Sequence, residues 1–165
     1  MSREEFWEIV ERVHYQSDGD MDKKCELLER ELGRLDPSQI EAWNQHFWSL
    51  MKEANSYEMW GVAAIYGESS SYDTFQDFRS SLISCGRKFF EPVLRDADNL
   101  ADYDGNSYLA QEGYQYVAGQ VYTQLTGDEI PLDLPEQQGP SGEHWTQDDL
   151  AKRFPRTAAR YGFRT

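Results

Sequence analysis

Apolar residues at helical spacing, opened and closed by capping signals, recur along almost the whole chain, and this restricts its fold more than any other feature. The pattern is clearest over residues 36–54. Asp36-Pro37-Ser38-Gln39 supplies an N-cap, a proline at the first helical position and a glutamine three residues after the cap. Ile40, Trp43, Phe47, Leu50, Met51 and Ala54 then fall on one face. Ser2 with Glu5 forms a second capping box, and Phe6, Ile9, Val10 and Val13 place a first helix over residues 3–15. Asp20 caps a helix whose stripe is Cys25, Leu28 and Leu32, ending at Gly33.

The nearly all-apolar YEMWGVAAIY of residues 57–66 suits a helix enclosed on all sides or a short buried strand, and its helical neighbours favour the helix. A polar connection over residues 67–71 leads to Tyr72, Phe75, Phe78, Leu82 and Ile83, a stripe that stops at Gly86. Phe89, Phe90, Val93 and Leu94 continue across Pro92. Residues 96–107 read as an acidic loop and residues 108–125 as a helix carrying Tyr114, Val117, Val121 and Leu125. Over residues 130–142, Pro131, Pro135 and Pro140 prevent regular structure, so this stretch reads as an extended strap anchored by Leu132 and Leu134. Thr146 with Asp149 caps a short helix to Phe154, and Pro155 opens a last turn to Tyr161. With no internal repeat and no β-rich block, the expectation is an all-α fold. It is a compact single domain over residues 1–165, a bundle of about seven or eight helices with a Pro-rich strap before the last. A chain of this length buries roughly 70% of its unfolded surface and needs no staple.

Composition narrows the function classes. Thirty Asp and Glu against 16 Lys and Arg give a net charge of −14, which repels phosphate backbones and anionic lipid heads and attracts cationic partners. Neither nucleic acid nor membrane is an expected partner; a basic protein is. The N-terminal MSREEFWEIVERV lacks the apolar core of a signal peptide, and no run approaches the roughly 18 apolar residues of a membrane span. The expected location is the cytoplasm. Cys25 and Cys85 have no neighbours at metal or redox spacing and read as small core hydrophobes, with a Cys25–Cys85 disulfide left open.

No catalytic constellation is apparent. His14, His46 and His144 lie in separate segments without a partner at fixed spacing, and glycine-rich phosphate loops and nucleophile motifs are absent. Asp96, Asp98, Asp102 and Asp104 before Gly105 invite a calcium loop. With Gly105 at position six, however, positions one and twelve fall on Leu100 and Gln111, where an EF-hand requires carboxylates. No metal and no cofactor is expected. The best polar candidates are Asp73, suited to a helix start, and Arg79, suited to pairing with a carboxylate of a neighbouring helix, with Arg87 just past Gly86. Aromatic residues make up 14% of the chain; Trp7 and Trp48 sit beside their helix stripes, and Tyr114 and Tyr116 cannot face one core. Rings exposed among carboxylates make a surface for a cationic protein, whereas broad apolar arcs would bury them.

The FWEIV helix, the segment Tyr57-Glu58-Met59-Trp60-Gly61-Val62-Ala63-Ala64, the stretches Ser71 to Arg79 and Leu82 to Arg87, and the tail from Gly142-Glu143-His144-Trp145 to Phe154-Pro155 resemble the bacterial DUF4240 family. The resemblance implies a small helical protein and no reaction. The family's acidic turn is reduced here to Ser71-Tyr72-Asp73, with only Asp73 of the acidic pair kept. Two functions follow as expectations. One is an acidic binding protein, in its most concrete form an immunity- or antitoxin-like inhibitor covering a basic cleft of a toxin. The other is a small-ligand sensor or enzyme whose pocket gathers Trp60, Asp73, Arg79 and Arg87.

Overall fold

A computed structural model describes residues 1–67 and 71–164, so most of the connection predicted over residues 67–71 lies outside the described residues. The fold is all-α. Nine α-helices are described: α1 (Arg3–Ser17), α2 (Met21–Leu32), α3 (Pro37–Glu53), α4 (Tyr57–Gly67), α5 (Tyr72–Ser84), α6 (Arg87–Arg95), α7 (Val117–Thr126), α8 (Leu150–Arg153) and α9 (Pro155–Tyr161). Three 3-10 turns join them, at Ala97–Asp102, Tyr114–Tyr116 and Gln147–Asp149. Among the described residues, strand-like pairing is limited to one isolated bridge between Ser56 and Ser141, and no helix is long and apolar enough to cross a membrane. The capping boxes stand where the sequence puts them, Ser2 with Glu5, Asp36 with Gln39 and Thr146 with Asp149, and Asp20 accepts from the Lys23 amide.

The centre of the bundle is α5, which touches α1, α3, α4 and α6. It buries Phe75, Phe78, Leu82 and Ile83 together with Ser80, Ser81 and Ser84. The serines are spent on hydrogen bonds: Ser80 donates to Gln115 Oε1, Ser81 to the Gln111 carbonyl and Ser84 to the Ser81 carbonyl. Lys24 of α2 is wholly buried against this helix and donates to Ser84 Oγ (3.0 Å) and Ser107 Oγ (2.8 Å). Burial lowers its pKa, because the charged form loses its hydration. Cys85 is buried and Cys25 half-buried, both as free thiols. Trp7, offset from its stripe in sequence, is also core, with its ring 5.2 Å from Phe6 and 5.9 Å from Phe90.

Three sequence expectations need correction. The helix expected over residues 108–125 begins only at Val117, after the 3-10 turn at Tyr114–Tyr116. Gly113 sits at φ +132°, and the Leu109 and Gln111 amides donate to Tyr66 OH and Ser81 Oγ, so side chains of α4 and α5 replace a helical ladder. Within the acidic stretch, residues Ala97–Asp102 wind into a 3-10 turn rather than a loop. Its carboxylates serve α9: Asp98 accepts from the Arg156 and Thr157 amides, and Asp102 pairs with Arg156.

The strap is docked, but hydrogen bonds hold it where the sequence reading assigned leucine anchors. Leu132 is 44% exposed and Leu134 half-buried. Prolines leave the backbone of an extended segment unladdered, and side chains of α3 occupy some of the free groups. Gln45 donates to the Asp133 carbonyl (2.6 Å) and accepts from the Asp133 amide (3.2 Å), Lys52 donates to the Pro135 carbonyl, Asn55 Nδ2 donates to Gln137 Oε1, and Gln137 Nε2 donates to the Asn55 carbonyl. Gln45→Ala should therefore cost about 1 kcal/mol of unfolding free energy in denaturant titration. Leu132→Ala should cost less than about 0.5 kcal/mol.

Candidate functional site

The predicted site residues do not all meet. Trp60 of α4 lies flat on Phe75 of α5, with ring planes 2° apart and centroids at 5.2 Å, and parallel to Tyr57 on its own helix. Arg79 continues this stack, its guanidinium carbon 4.4 Å from the Phe75 centroid and 5.5 Å from that of Tyr72. In place of the expected carboxylate, Arg79 Nη1 donates to the Met51 carbonyl at 2.7 Å, in the last turn of α3. The cap of α5 is Ser71, and Asp73 sits exposed in the first turn, where its charge complements the helix dipole. Arg87 stands apart on the face that meets α1. It donates to Glu4 Oε1 at 2.6 Å, and this bond, with the charges of Glu4, Glu91 and Glu11, holds its pKa up.

Two concavities flank α3 on the side of the strap. The smaller, of about 200 Å³, lies between α3, α5 and the strap, with Lys52, Tyr72, Gln76, Arg79 and Gln137 on its walls. The larger, of about 720 Å³, runs between α3, α7 and residues 129–132. Its apolar surface comes from Trp48, Tyr116, Ile130 and Leu132, with Gln115 and Gln120 alongside. Tyr116 and Leu132 are each 44% exposed, far more than a bundle of this size leaves its rings and leucines inside. Trp48 closes one wall of both concavities.

Charge around the larger groove is one-sided. Its lining holds Glu129 and no basic side chain. Gln115 donates to Asp77 Oδ1 at 2.9 Å and Tyr116 to Glu112 Oε1 at 3.2 Å, which fixes two further carboxylates at the groove edge. Burial raises the Asp77 pKa first; the Glu112 and Asp73 charges raise it further against the Gln115 bond, which lowers it. Among the described residues no ion pair reaches Asp73, Asp77 or Glu112, although Arg3, Arg12, Arg87, Arg153 and Arg156 pair with carboxylates elsewhere. The groove is not legible as a unit in the sequence because its parts are about 70 to 80 positions apart; the sequence marks only Trp48, offset from its stripe, and Tyr116, mismatched with Tyr114. Among the described residues no three His, Cys, Asp or Glu side chains are grouped to hold a metal ion.

The fold is that of a small helical protein with two concave surfaces beside α3. The chain belongs to the DUF4240 family of proteins of unknown function, whose model matches residues 1–124. That match ends before the Gly142-to-Pro155 tail included in the resemblance above. No curated protein and no solved structure matches the chain.

Proposed function

We propose that this protein binds a partner protein through the groove between α3 and α7, and that the partner inserts a basic amphipathic segment. An inhibitor of the immunity or antitoxin type, covering a basic surface of its target, is the most concrete form of this reading. The observation that carries it is the combination of exposed Tyr116 and Leu132 over a floor of Trp48 and Ile130 with carboxylates on the edge and no cation among the lining residues. Apolar contacts of this kind provide affinity at a desolvated centre, and the carboxylate rim provides steering and selects against acidic partners. The net charge of −14 extends the same field over the whole molecule.

A designed Leu/Lys helix with one apolar face, titrated by fluorescence anisotropy, tests this. It should bind with an affinity that falls with salt, and Tyr116→Ser should weaken it about tenfold. A scrambled peptide of the same composition binding equally well would mean that charge alone is at work and would sink the reading. The cluster makes a second, independent prediction. With its pKa raised above the ordinary value of about 4, Asp77 binds a proton more tightly folded than unfolded, so it takes stability away as pH rises through that window. Asp77→Asn should raise the melting temperature at pH 7 by about 1–2 °C, with no gain below pH about 4, while weakening the basic peptide.

A further inference from the structure

In a chain with 30 acidic side chains against 16 basic ones, the smaller cleft stands out because Lys52 and Arg79 line it and no carboxylate does. Arg79 is only 4% exposed, and its Nε is buried without a hydrogen-bond partner. Among the described residues no carboxylate forms an ion pair with it; its contacts are the Met51 carbonyl, the faces of Phe75 and Tyr72, and a side-chain interaction with the Tyr72 hydroxyl, which is no counter-charge at neutral pH. Burying a cation without a counter-charge is costly, and a structural arginine in so acidic a protein had many carboxylates to pair with. Capping the Met51 carbonyl requires one N–H donor and no charge, so that role leaves the guanidinium unexplained. Lys52, half-buried, holds the strap through the Pro135 carbonyl at 3.1 Å and keeps its other two protons.

We propose that the cleft between α3, α5 and the strap binds a small organic monocarboxylate, paired by Arg79 inside and Lys52 outside, with its apolar part between Trp48 and Tyr72. Size and charge restrict the class. A volume of about 200 Å³ lies below the roughly 300–1,000 Å³ of sites for drug-sized molecules, which excludes nucleotides. The carbonyl end of α3, which Arg79 touches, disfavours a second negative charge, so a carboxylate fits and a phosphate dianion does not. The amides of Gln76 and Gln137 supply neutral polar contacts for the remainder. The site is independent of the groove proposed above, with which it shares only the Trp48 wall.

The test is an NMR titration of the full chain with benzoate and isovalerate, against neutral benzamide and against orthophosphate. At least one carboxylate should give saturable shifts centred on Tyr72, Gln76 and Gln137, with a Kd of about 1 mM or below. Lys52→Gln, which leaves the core untouched, should weaken it about tenfold, and Arg79→Lys, which keeps the charge and loses the fork, should weaken it further. Benzamide and orthophosphate should bind at least about tenfold less well. Absence of saturable shifts at these residues with both carboxylates, equal binding of benzamide or orthophosphate, or an unchanged affinity in Lys52→Gln would each overturn the proposal. None of these outcomes bears on the basic peptide, so failure here and failure of the groove are separable.

Discussion

Ending the chain at Gln124, where the family model stops, should abolish cooperative unfolding. The segment lost carries Leu150, Phe154 and Ala158, all buried, and it packs α8 and α9 onto α4 and onto the 3-10 turn at Ala97–Asp102. Helix α4 is apolar on every side, with Met59, Val62, Ala63 and Ile65 buried, so it relies on that cover. Deleting a buried leucine or phenylalanine side chain alone costs about 2–5 kcal/mol. Two such losses, with the Asp98 bonds to the start of α9, rival the whole stability of about 5–15 kcal/mol expected of a native domain. The truncated chain should keep much of its far-ultraviolet helical signal, lose the near-ultraviolet signal of its packed tryptophans and melt without a transition. A sharp melt within a few degrees of the full chain would show that residues 1–124 fold by themselves.

Gly61→Val should have the second largest effect, for a related reason. A Cβ at Gly61 would stand 2.5 Å from Phe154 Cε2 and 3.2 Å from Trp145 Cδ1, because the tail lies directly on this turn of α4. In an exposed helix, replacing glycine by a side chain gains a few tenths of a kcal/mol to about 1 kcal/mol. Here overpacking wins. The two added methyls and the Cβ displace a buried ring, at about 2–3 kcal/mol, which lowers the melting temperature by about 5–10 °C. Phe154→Leu in the Gly61→Ala background should recover part of the loss if the ring is the obstacle. An unchanged melt in Gly61→Val would mean that the tail does not dock on α4.

What the sequence made legible follows from which forces are local. The boundaries of α1 and α3 could be read because Ser2, Glu5, Asp36 and Gln39 satisfy helix ends with their own neighbours. Residues 108–116 could not, since the Leu109 and Gln111 amides are satisfied by Tyr66 and Ser81 from other helices. The buried state of Lys24 was equally hidden: a lysine among charged neighbours reads as solvated until Ser84 and Ser107 are brought to it. Of the candidate site residues, Trp60 and Arg79 meet on the ring of Phe75 in α5. Arg87 was close in sequence but follows the turn at Gly86 to the other side, where Glu4 takes it. The groove was invisible because Trp48, Tyr116, Ile130 and Leu132 belong to separate periodicities, and only packing puts them side by side.

Photo-crosslinking from inside the groove between α3 and α7 tests most directly whether it receives a basic amphipathic segment of another protein. Gln120 lines the groove and is exposed, so replacing it with p-benzoylphenylalanine places a reactive group there without disturbing the core. Irradiation in cells of the native host, followed by sequencing of the crosslinked peptide, identifies what occupies the groove. The expected result is a single dominant protein crosslinked through a Lys- or Arg-rich amphipathic segment, lost in Tyr116→Ser and absent when the reactive group is placed instead at exposed Glu26 on α2. Crosslinks through an acidic or wholly polar segment, or an equal yield from both positions, would contradict it.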